Sequence, residues 1–105
     1  MAWVYLLFAG LFEIGFAVGL KASDGFSRPL PTLVTLICLG ISLWLLSLAM
    51  RGLPLGTAYA VWTGIGSAGA VLAGMTMARE GFDPGRIFCV LLILAGVAGL
   101  KILEK

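Results

Sequence analysis

Four long apolar runs fill almost all of this chain, with only short polar breaks between them. They cover about residues 2–20, 31–50, 54–78 and 84–103 of 105. Each is close to the ~20 apolar residues that a helix needs to cross a hydrocarbon layer. Backbone N–H and C=O groups in lipid must be paired inside the segment, so runs of this length are helical. Nothing substantial is left over for a soluble domain. The expected fold is all-α, a single transmembrane domain of four helices over residues 1–105. Composition points the same way, with 61% hydrophobic and 11% charged residues and a mean hydropathy of +1.12. A typical soluble domain is about 45–50% apolar and about 25% charged.

The breaks carry ordinary helix-ending chemistry. Lys21-Ala22-Ser23-Asp24-Gly25-Phe26-Ser27-Arg28-Pro29 brings three charges, a glycine and a proline. Arg51-Gly52 closes the second run, and Arg79-Glu80-Gly81-Phe82-Asp83 the third. Pro31, Pro54 and Pro84 stand where new runs begin, and a first helical turn accepts proline because its N–H has no helical partner anyway. The first run lacks the basic flank of a secretory signal peptide and holds a carboxylate near its middle, so it reads as a retained span.

Several function classes are excluded early. Seven basic and five acidic residues leave a net +2, too little for a nucleic-acid surface. With no histidine, metal sites and histidine proton relays are not expected. Cys38 and Cys89 both lie in apolar runs and read as small hydrophobes rather than as a disulfide or metal pair. There is no nucleophile–base pair and no cofactor motif, so neither enzyme activity nor a cofactor is expected.

Charge placement bears on orientation. With four spans, Lys21, Arg28, Arg79 and Arg86 fall on one side, while Arg51, Lys101, Lys105 and the terminal amine fall on the other. A Lys/Arg bias this small gives no firm orientation, so insertion both ways up is expected. Size argues likewise. Many secondary transporters place their site between two halves of inverted topology, and four helices without an internal repeat make only one half. An antiparallel, dual-topology homodimer in the lipid bilayer is the expected assembly.

The polar residues inside the spans are few. Glu13 sits mid-way in the first, where insertion scales put a carboxylate at roughly 2.5–3.5 kcal/mol unfavourable. Intramembrane ionisable groups usually serve a transport path, and the alternative is a satisfied structural acid. Gly10, Phe16 and Ala17 share its helical face: Gly10 leaves room and Phe16 offers an aromatic wall. Tyr59, Trp62, Thr63 and Gly66 stand at helical spacing in the third span. Trp62 lies mid-span, away from the interfacial belt, and its indole N–H wants an acceptor. Glu13 is the one mid-membrane carboxylate available, though an aromatic packing stripe is the alternative. Ser42, near the middle of the second span, can donate to a carboxylate and accept from a cation. In the fourth span Ala95, Gly96, Ala98 and Gly99 make a small-residue face that reads as a helix-association segment and a dimer contact. Lys101 is expected to snorkel toward the headgroups. Gly64-Ile65-Gly66 reads either as a hinge or as a close-packing point.

Ala9-Gly10-Leu11-Phe12-Glu13, Gly25-Phe26-Ser27-Arg28, the run Leu53–Gly66 and Ala95-Gly96-Val97 together carry a resemblance over the whole length. The chain resembles the small multidrug resistance family of proton-coupled exporters. Through Gly10, Ala17, Trp62-Thr63-Gly64 and Gly99-Leu100-Lys101 it is most similar to the guanidinium exporter subtype. That resemblance implies an antiparallel dimer in the bacterial inner membrane, with Glu13 of both copies binding either substrate or protons. It implies that Ser42 and Trp62 hydrogen-bond Glu13, and that Tyr59 takes part in the site and its switching. The chain departs from the subtype at Phe16, usually Trp, and at Gly15, usually bulkier, which implies a roomier pocket. Cys89 stands where many multidrug members have glycine.

The favoured expectation is a guanidinium/proton antiporter with substrate and protons competing for Glu13, lined by Gly10, Phe16, Ser42, Tyr59 and Trp62. A multidrug exporter of quaternary ammonium and aromatic cations working through the same Glu13 is the alternative. A non-transporting membrane scaffold is the more distant one.

Overall fold

The computed structural model describes residues 1–76 and 83–104. The expected end of the third span at Ala78, and the loop charge Arg79, lie outside the described residues. The elements are α1 (Ala2–Ala22), α2 (Pro29–Ala49), α3 (Leu55–Thr76) and α4 (Pro84–Glu104). All four are long and apolar enough to cross a membrane.

Proline decides where two of them start. Arg28 is extended (φ −103°, ψ 117°), because the ring of a following proline disfavours the helical region. Helix α2 therefore opens at Pro29, two residues ahead of the expected start, and takes both Pro29 and Pro31 into its first turn. Pro54 stays just outside α3, and its carbonyl accepts from the Ala58 N–H at 3.0 Å.

Ser23, fully buried, organises the turn between α1 and α2. Its hydroxyl donates to the Leu20 carbonyl at 2.8 Å and accepts from the Phe26 N–H at 3.2 Å. Its own carbonyl accepts from the Ser27 and Arg28 amides at 3.0 and 3.1 Å. Asp24, Gly25 and Phe26 between them all have positive φ (49°, 71° and 66°). This turns the chain within a few residues and leaves α2 antiparallel to α1.

Helix α1 is the centre of the arrangement. It packs along both α2 and α3, whereas α2 and α3 barely meet and the backbone of α4 approaches only α3. The core lies between the first three helices: Leu6 and Ala9 from α1, Leu46 and Ala49 from α2, Ala58, Val61 and Trp62 from α3. Lipid tails are as apolar as leucine, so close backbone approach rather than hydrophobic burial holds such helices together. Glycines supply the approach. A Cβ on Gly19 would strike Thr35 of α2, and one on Gly64 would strike Val97 of α4. Helix α3 runs unbroken through Gly64-Ile65-Gly66, and both glycines stand at close contacts, in keeping with the packing reading of that stretch. On α4, by contrast, added Cβ atoms at Gly96 and Gly99 would meet nothing, and Phe88, Leu91 and Leu92 are exposed.

Candidate functional site

Glu13 belongs to the face of α1 that meets α3. The carboxylate lies directly against Gly66, where any Cβ would overlap it. One turn earlier, Gly10 is buried against the Ile65 side chain. It is thus a point of close helix approach, where open space beside the acid had been expected. Both glycines let α1 and α3 come near enough to enclose part of the carboxylate. Oε1 of Glu13 is buried and has no hydrogen-bond partner. The Thr63 Oγ1, on α3 one turn before Gly66, is in the same condition, and no other side-chain N or O among the described residues is.

Beside this open pair runs a closed one. Trp62 Nε1 donates to Ser42 Oγ at 2.8 Å, and Ser42 Oγ donates to the Ala9 carbonyl at 2.6 Å. The expectation that Ser42 and Trp62 bond the Glu13 carboxylate is therefore not met in the single chain. The physical reason is local. A hydroxyl that accepts the indole proton still has its own to place, and a helix carbonyl keeps a second lone pair free. In an α-helix the Ala9 carbonyl already takes the amide of Glu13. The Trp62–Ser42 chain thus fastens α3 and α2 to the turn of α1 that carries the acid, not to the acid itself.

The remaining expected residues border the same region. Phe16 is half-buried, one turn beyond Glu13. Tyr59 is 54% exposed, its ring 5.5 Å from that of Trp62 with the planes at 50°. It precedes Thr63 by one turn, so Tyr59, Thr63 and Gly66 share a face of α3. Sequence spacing placed Thr63 and Gly66 beside Tyr59 and Trp62, but it gave Thr63 no role and read Gly66 only as part of a hinge or packing point. An unpartnered hydroxyl leaves no trace in sequence.

Lys101 lies away from Glu13. Its Nζ stands 5.1 Å over the Trp3 ring, and Trp3 is roughly 15 Å along the helix axis from Glu13 at 1.5 Å per residue. Together they border an apolar groove of about 360 Å³ between α1, α3 and α4. A second apolar groove, of about 570 Å³, lies between α1 and α2 and begins at Gly15.

Four helices of membrane-spanning length, with one buried carboxylate oxygen between α1 and α3, make this a small multi-pass membrane protein. The chain belongs to the small multidrug resistance family: residues 1–93 match the family described as Small Multidrug Resistance protein. It is 50% identical over 102 residues to the guanidinium exporter of Salmonella typhimurium, with 97% of each chain covered. It is 50% identical over 102 residues to that of Yersinia pseudotuberculosis, covering 97% of this chain and 98% of the relative. Identity to the guanidinium exporter of Citrobacter freundii is 48% over 102 residues, with 97% of each chain covered. These relatives are bacterial, and a helical multi-pass protein of this kind resides in the inner membrane, the outer one being the province of β-barrels.

Proposed function

We propose that the protein exports guanidinium in exchange for protons, the two competing for Glu13 in each copy of an antiparallel homodimer. The observation that carries this reading is the buried, unpartnered Oε1 of Glu13, in a chain half identical to proteins named guanidinium exporters. A carboxylate can hold one proton or accept from a cation, not both at full strength. Guanidinium offers parallel N–H pairs that match a carboxylate edge. Phe16 and Tyr59 supply aromatic walls. Gly10, Ser42 and Trp62 act from behind, holding the helix faces that present the acid. A second, inverted copy completes the site and lets it open to either side. Dual insertion follows from the near-even Lys/Arg distribution, and reporter fusions at the C-terminus should report both orientations.

The test is guanidinium uptake into proteoliposomes under an imposed proton gradient, for wild type and Glu13→Gln. The expected result is uptake driven by the gradient and abolished in Glu13→Gln, with the dimer intact on cross-linking. Undiminished flux in Glu13→Gln would leave only a scaffold role for the acid.

A further inference from the structure

We propose that Thr63 is a direct ligand of the transported cation, its hydroxyl accepting from a cation N–H while giving its own proton to the Glu13 carboxylate. This rests on the export reading above and adds a substrate contact to it.

The observation is what Thr63 fails to do. A hydroxyl inside a membrane helix ordinarily bonds back to a carbonyl three or four residues earlier, since lipid offers no other partner. Thr32 does so to Arg28 at 2.7 Å, Thr35 to Pro31 at 2.7 Å, Ser47 to Trp44 at 2.6 Å and Thr76 to Leu72 at 3.0 Å. Thr63 makes no such bond to Tyr59, although its oxygen is buried. The other orphan is Oε1 of Glu13, whose carboxylate rests on Gly66, one turn from Thr63. Two helices packed this closely therefore leave one acceptor and one hydroxyl unmatched on the same seam, and the two do not bond each other.

The chemistry of the pair names the ligand class. A carboxylate only accepts, whereas a hydroxyl accepts and donates at once. A cation rich in N–H groups can spend two on the carboxylate fork and a third on the Thr63 oxygen, while the Thr63 proton turns to the carboxylate. That arrangement gives both unpartnered oxygens a partner. A proton bound on Glu13 joins the two oxygens through one bond, since a protonated carboxyl can donate to Thr63. The hydroxyl thus serves both loaded forms.

The experiment measures equilibrium guanidinium binding to the full chain reconstituted in lipid, for wild type, Thr63→Val, Thr63→Ser and Glu13→Gln. Thr63→Val is expected to weaken binding about tenfold with no loss of thermal stability, because the valine removes an unpaired hydroxyl at nearly constant shape. Thr63→Ser is expected to bind like wild type. Unchanged affinity in Thr63→Val, or an equal loss in Thr63→Ser, overturns the assignment. A wild type that binds no guanidinium removes the export reading and this contact with it. Binding lost in Glu13→Gln but kept in Thr63→Val removes this contact alone.

Discussion

Two polar clusters sit at neighbouring positions along α1 and α3, the first reaching α2 as well, and they are built differently. In the first, Trp62, Ser42 and the Ala9 carbonyl form a closed series in which every donor has an acceptor. In the second, Glu13 and Thr63 face a shared seam with nothing satisfying their buried oxygens. Closed networks rigidify, and half-satisfied ones are costly unless a ligand completes them. On the proposed reading, the difference separates residues that hold the helices in place from residues that would meet a cargo. Side-chain type alone does not separate them: Ser42 and Thr63 are both mid-membrane hydroxyls, yet they stand on opposite sides of the division.

Substitutions can break or sharpen that contrast. The largest effect is expected at Glu13→Gln, which should abolish guanidinium uptake while leaving the protein assembled. Next comes Gly66→Ala. Its methyl would occupy the carboxylate's place, so guanidinium affinity should fall by at least about tenfold, read by the same binding assay. Ser42→Ala attacks the closed cluster. It strands the buried indole N–H of Trp62, and unfolding in detergent should show a loss of roughly 1–3 kcal/mol. Thr63→Val is its mirror image, weakening binding without loss of stability. If Ser42→Ala left stability untouched and erased binding, the division between the two clusters would collapse. The smallest effect belongs to Lys101→Met, which removes an exposed cation–π contact worth about 0.5–1 kcal/mol and should leave guanidinium binding unaltered. Across all of these, proton competition makes wild-type guanidinium binding weaken as pH falls, by up to about one decade per pH unit for each proton displaced. A pH-independent affinity would separate export from proton coupling.

A second contrast, between α1 and α4, bears on assembly. Helix α1 is flanked on two sides, whereas α4 leaves most of its surface, including the small face at Gly96 and Gly99, without a neighbour in the single chain. The sequence expectation of a helix-association segment there is compatible with that exposure, and cross-linking between copies at Gly96 is the direct measurement.

Much of the architecture was legible in the order of residues. Four apolar runs of spanning length admit only helices in lipid, because each backbone group must find its partner within its own segment. Glu13 announced itself for the same reason, as a charge that is expensive at that depth. Helix starts were legible to within a couple of residues, and Pro29 claimed α2 early because the residue before a proline avoids the helical region. The partners of the polar groups were not legible. Hydrogen bonds between helices depend on how near the backbones come and how each helix is rotated. Here both are set by Gly10, Gly64 and Gly66 meeting side chains from other helices. That packing sent the Trp62 indole to Ser42 and Ser42 to Ala9, and left Glu13 and Thr63 open. Composition and spacing thus suffice to put an acid in the membrane and aromatic residues near it. Which hydroxyl is bonded and which is left open is settled only when three helices close on one another.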